Sequence, residues 1–187
     1  GVALAFSVQL INESALGEFG AALRSVNGEA DFELRAAYRG AAGGFDEQLY
    51  ARVAAHPQVA IASPVVELDT VALAADGRRV ALRVLGLDLL VAARLAPGLL
   101  PRAFDGSERL AMLDPDAVFL NPAAQQALGL ADRTASSELR LLAGSAARTL
   151  RIAGQVSAGG APLAVIDIAG AQGIGQVTGL VAENSRR

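Results

Sequence analysis

The sequence predicts an α+β fold, and three observations predict it. Stretches that alternate apolar and polar residues recur from Ala30 onward, the period of a strand with one buried face. A helix–strand unit, GFDEQLYARVAAHPQVAIASPVVELDTVAL over Gly44–Leu73, is set among them. The first eleven residues, GVALAFSVQLI, are apolar apart from Ser7 and Gln9, and polar residues begin at Asn12.

The first element is a helix. Leu4, Val8, Ile11, Ala15, Phe19, Ala22 and Val26 form one stripe at helical spacing, and Asn27-Gly28 supplies the stop. The apolar start is too short to span a bilayer and lacks the basic start and cleavage pattern of a signal peptide. It reads either as an amphipathic helix on a soluble domain or as the outer end of a membrane helix running on into water. The composition change at Asn12 favours the second.

Ala30–Tyr38 follows as a strand: Phe32, Leu34 and Ala36 alternate with Asp31, Glu33 and Arg35. RGAAGG is a loop. Phe45, Leu49 and Val53 recur every four residues, so a helix is expected over Asp46–Ala55, ended by Pro57. Gln58–Leu73 reads as a strand broken at Pro64, an edge or a bend where the chain changes sheets, followed by a second strand. ADGRR turns the chain and VALRVLGLD returns as the pairing strand.

The next stretch is loop-rich with one short helix. A strand is expected over Ala117–Leu120, then a helix capped by Asn121, opened by Pro122 and stopped by Gly129. SSELRLLAG and RTLRIAGQVS form a hairpin around Gly144-Ser145. Leu163–Ile168 is a buried strand running into a short helix, and GIGQVTGLVAEN ends in a strand.

Composition excludes several kinds of chemistry. The net charge of −3 argues against a phosphate-backbone binder, which needs a basic face. All 16 basic residues are Arg, which removes Schiff-base lysines and the phosphate-binding P-loop. Without Cys there is no disulfide, thiolate zinc site or cysteine nucleophile, and this suits both the cytosol and a disulfide-free periplasmic domain. His56 is the single histidine, so a transition-metal site lacks ligands.

Three motifs bear on chemistry. GAQGIG, Gly170–Gly175, follows a strand but has the order G-x-x-G-x-G rather than the dinucleotide fingerprint, so it reads as a helix–strand turn. His56 stands at a helix end, and no G-x-S-x-G elbow accompanies it. Asp114 and Asp116 flank Pro115 and read as turn chemistry, though a carboxylate pair of the glycosidase kind is excluded only in three dimensions. No catalytic, cofactor-binding or metal-ligating residue is assigned.

The order of the segments resembles the extracytoplasmic core domain of MacB/FtsX/LolC-type ABC transporter permeases. The resemblance rests on ADFELRA at 30–36, GFDEQLYARVAAHPQVAIASPVV at 44–66, AVFLNPAAQQALGL at 117–130 and VIDIAGAQ at 165–172, in that order over nearly the whole chain. Two features depart from it. ADRTASSEL stands where the family shows Gly-Asp, and the chain ends soon after GLVAEN, before the expected outward-to-inward helix.

The resemblance implies a stalk helix over 1–27 continuing from a first membrane span. It implies a discontinuous porter-like α/β subdomain from 28–66 and 155–187, with an inserted, mostly-β, sabre-like subdomain over 67–154. It further implies a non-catalytic domain on the periplasmic side of the bacterial inner membrane, coupled by mechanotransmission to a separate cytoplasmic ATPase domain or subunit. Expected partners are that ATPase, a second permease copy, and a periplasmic adaptor or lipoprotein cargo, with no nucleic acid and no cofactor. A small periplasmic hydrolase and a free-standing adaptor or binding module are the alternatives.

Overall fold

The architecture turns on one long strand. The computed structural model describes residues 32–35, 47–95, 97–104, 110–130, 138–143, 146–175 and 179–184. In chain order these form β1 (Phe32–Arg35), α1 (Glu47–Ala54), β2 (Val59–Leu73), β3 (Arg79–Leu87), α2 (Leu89–Leu95), β4 (Arg102–Ala103) and β5 (Ala117–Leu120). α3 (Pro122–Leu128), β6 (Glu138–Ala143), β7 (Ala146–Gln155), β8 (Leu163–Asp167), α4 (Ile168–Gln172) and β9 (Gly179–Asn184) complete the described chain. The helix expected over 1–27 and its stop at Asn27-Gly28 lie outside the described residues. Among the described residues, no helix is long and apolar enough to cross a membrane.

The strands form one sheet, and its second half closes on itself. β2 pairs with β3, β3 with β8, β8 with β5, β5 with β7, β7 with β6, and β6 returns to β2. The β3–β8 and β5–β7 pairs are parallel and the other pairs of the ring antiparallel. Closure removes sheet edges and gives the ring an inside. Val84, Val118, Leu139, Leu141, Leu150 and Ile166 are fully buried there, one cluster contributed by different strands.

Neighbouring residues on the same strands face outward into a second core. Leu85, Leu87, Phe119 and Val165 pack with Leu89 and Ala92 of α2 and with Leu99 and Ala111 from the turns that follow it. Burial on both faces explains why β5 reads AVFL and β8 reads LAVI, without alternation. A one-residue slip of either strand would exchange its contributions to the two cores.

Two helices close the ring's ends. β5 and β8 are antiparallel neighbours, so the helices that follow them leave from opposite ends. α3, after β5, sets Ala124 and Leu128 into the inner core; α4, after β8, sets Ala171 there. A Cβ on Gly86 of β3 would collide with Cβ of Ala171, so glycine here lets α4 seat against the ring.

β2 is continuous where the sequence suggests a break at Pro64 and a change of sheet. Its 15 residues run through the proline, and both of its halves belong to the same sheet. Val59–Val65 pairs with β9, which pairs with β1, while Val65–Leu73 pairs with β3. Pro64 is in register with Leu180 of β9 and lies just before the β3 ladder begins at Val65, so its missing N–H costs no bond on that side. The chain changes partners rather than sheets. The first half of β2, with β9 and β1, thus forms an open three-stranded extension beyond one end of the ring.

Other expectations agree in detail. The helix expected over Asp46–Ala55 is α1, the Ala117–Leu120 strand is β5, and the two strands of the expected hairpin pair as β6 and β7, its turn at Gly144-Ser145 lying outside the described residues. α3 has Asn121 at its cap, Pro122 in its first turn and Gly129 at φ 72° after it.

Candidate functional site

Two of the three sequence motifs, GAQGIG and the Asp114–Asp116 turn, meet at the α4 end of the ring, and an arginine joins them. β7 alternates inward Leu150 and Ile152, and two residues earlier the same register holds Arg148. Its guanidinium donates to the Gly170 carbonyl at 2.8 Å, to the Pro115 carbonyl at 3.4 Å and to Asp116 at 2.9 Å. Gly170 lies so close to the Pro115 backbone that a Cβ would strike the carbonyl oxygen. The Asp114–Pro115–Asp116 turn and the start of GAQGIG are therefore one contact.

Both aspartates are committed to structure. Asp114 accepts from the Asp116 N–H at 3.0 Å and, through its other oxygen, from Arg151 at 2.6 Å. The Asp116 N–H, and after it Arg151, hold the Asp114 carboxyl below the usual carboxylate range. It is thus an ionised acceptor at neutral pH, with neither oxygen free of a donor. The pair behaves as turn chemistry, the reading its flanking proline suggests.

GAQGIG has no phosphate cradle in this setting. Gly170 and Ala171 are buried inside α4, Gly173 ends the helix at φ −71°, and Gly175 abuts the Leu68 side chain. Asp167 caps the helix, its carboxylate accepting from the Ala169 N–H at 2.9 Å.

His56 lies apart from these groups in sequence and in environment. It is exposed after α1, and its Nδ1 accepts from the Gln58 N–H at 3.3 Å. Among the described residues no group of three or more His, Asp or Glu could hold a metal ion. A further ion cluster lies on the ring's outer wall, where Arg83 contacts Asp69 at 2.9 Å and Glu67 at 3.4 Å.

At the opposite end, Asn121 does more than cap. Its Oδ1 accepts from the Ala124 N–H at 2.8 Å and from the Leu163 N–H at 3.0 Å, and its Nδ2 donates to the Ala161 carbonyl at 2.9 Å. One buried amide therefore fixes α3 and the start of β8 together. Sequence reasoning finds the cap, because that bond is local, and misses the hold on β8. It also misses Arg148, whose signal is a charge in the apolar register of β7.

No protein-family model matches the chain, and no curated protein matches it. Solved structures do. The periplasmic region of MacB from Actinobacillus actinomycetemcomitans is similar at a TM-score of 0.59 and 10% identity, over 82% of this chain and 73% of that one. The extracellular domain of YknZ, a noncanonic ABC-type transporter from Gram-positive bacteria, is similar at a TM-score of 0.57 and 8% identity, over 82% of this chain and 84% of that one. The chain shares its fold with extracytoplasmic domains of ABC-type transporters, as the order of its sequence segments implies.

Proposed function

We propose that the chain is the extracytoplasmic domain of a MacB/FtsX/LolC-type ABC transporter permease, held on the periplasmic side of the bacterial inner membrane. In this reading it is non-catalytic and couples ATP hydrolysis by a separate cytoplasmic domain or subunit to export or to lipoprotein or lipid handling. The observation that carries the reading is the fold likeness to the MacB and YknZ domains over most of both chains. The committed state of Asp114 supports it, since a carboxylate held by two donors is a poor general base.

The open extension supports it further. Phe32 of β1 is in register with Ala182 of β9, and both strands lie beside the half of β2 that projects past the ring. A chain entering at Phe32 and leaving at Asn184 does so at the tip remote from the ring, which suits a domain mounted on two stalks. The porter-like part comprises β1, α1, the first half of β2 and β9, and the inserted span 67–154 supplies β3 to β7. By its pairing with β3 and β5, β8 joins the inserted part to complete the ring.

β2 gives the two parts a common rigid member. A movement of the stalks, biased by nucleotide binding elsewhere, reaches the ring as a rigid-body shift through a strand laddered at both ends. The permease acts as a dimer with its ATPase, and with a periplasmic adaptor or a lipoprotein cargo as further partner.

The test uses the full-length gene product purified from membranes with its ATP-binding partner. The complex hydrolyses ATP, and ATP binding changes the rate at which protease cuts the extracytoplasmic domain. A product that is soluble without detergent and associates with no ATPase overturns the proposal.

A further inference from the structure

Among the described elements the chain passes between the ring and the extension twice, once within β2 and once from β8 through α4 to β9. α4 sits at the joint itself. Ala171 lies against Gly86 of β3 and shares the inner core with Val66 of β2, one residue past Val65, where the β9 ladder ends. A Cβ on Gly175 would strike the Leu68 side chain of the same strand.

By itself α4 is a weak element. Its five residues are too few for a helix to hold alone, and Gly170 within it lowers helix propensity further. Its place therefore depends on what holds it from outside. Arg148 of β7 supplies that hold. One guanidinium nitrogen donates to the Gly170 carbonyl at 2.8 Å, the other donates to Asp116 at 2.9 Å, and a Cβ on Gly173 would meet the same group. Gly170 offers one of the last carbonyls of the helix, which have no partner within it, and a bond from an ionised donor is stronger than a neutral one. The outer side of the contact is open to solvent, with the Asp116 side chain 66% exposed, so water competes for it.

We propose that Arg148 is a latch between the ring and the extension. With the latch closed, both passages are fixed to the ring, and ring and extension move as one body. With it open, α4 lifts from its seat, β2 alone carries the connection, and the extension twists about that one strand. The latch belongs to the folded chain and stands whether or not the permease reading does. In a permease it decides whether a stalk movement reaches the ring whole, a consequence that rests on that reading.

Arg148→Met keeps most of the side chain's length and removes its donors. In the purified chain, hydrogen exchange is expected to quicken about tenfold or more at the Ile174 and Gly175 amides, which bond the Ala171 carbonyl, with little change at β3 and β8. The chain has no Cys, so spin labels at Ala60→Cys on β2 and Thr149→Cys on β7, both exposed, are its only two. The distribution of distances between them is expected to be broader in Arg148→Met than with Arg148 intact.

The latch is refuted if the two amides exchange as before or only in step with β3 and β8, or if the distance distribution keeps its width. Should Arg148→Met fold poorly, Asp116→Ala on the exposed side of the contact is expected to give both changes in smaller measure, and the absence of either refutes the latch equally. A chain that shows both changes while the full-length product associates with no ATPase keeps the latch and refutes the permease reading alone.

Discussion

Asn121 shows how a single side chain serves two elements. Replacing it with alanine leaves the Ala124 and Leu163 N–H groups and the Ala161 carbonyl without their partner in a buried place. A loss of about 2–4 kcal/mol is expected, read as a fall in the urea midpoint at unchanged slope. Gly170→Ala is expected to cost about 1–3 kcal/mol by overpacking against the Pro115 carbonyl, in the same assay. Asp114 adds a pH dependence. Its folded-state carboxyl binds protons less readily than an unfolded one, so its stabilisation is present above about pH 4, the ordinary carboxylate range. That stabilisation is lost as the pH falls through the lowered folded-state value. Asp114→Asn is therefore expected to lower stability most at neutral pH, where the ionised carboxylate contributes, and least at the acid end, which flattens the acid limb of a stability–pH profile. The residue scale is where the sequence is most legible for local roles: the Asn121 cap, the Asp114 turn and the Gly129 stop each involve neighbours within a few positions. Arg148 and the Asn121–Leu163 bond join residues 22 and 42 positions apart, and no local pattern records such distances.

At the scale of elements, helix and strand positions follow periodicity closely, and the departures have a common cause. Pro64 reads as a break because a strand proline lacks a donor, yet β2 passes through it where the β3 ladder has not begun. Which strand lies alongside is a property of the fold and not of the segment. The same partnerships make the ring uneven in strength. β2 pairs with β3 from Val65 to Leu73, but with β6 only from Val71 to Leu73, supported by the Thr70 hydroxyl donating to the Leu142 carbonyl at 2.6 Å. That seam is expected to open first. Hydrogen exchange should show weaker protection at β6 than at β3 and β8, and Thr70→Val should weaken β6 further. Equal protection across β6, β3 and β8 would show that the ring opens only as a whole.

For the whole molecule, the α+β class and the order of elements were legible in the sequence, while the closure of the ring was not. Its strands meet through pairs such as β3 with β8 and β5 with β7, separated by long stretches of chain. The likeness to MacB and YknZ at 10% and 8% identity follows from the same physics, since a shared ladder pattern tolerates near-complete exchange of side chains. In the proposed reading this folded unit stands outside a membrane on a transporter permease. Fractionation of the full-length gene product, followed by protease applied from the outer side of intact spheroplasts, decides it. The product is expected to sediment with the inner membrane, with this segment cut only from outside. Recovery in the soluble fraction without detergent, or cleavage only after the membrane is broken, would contradict it.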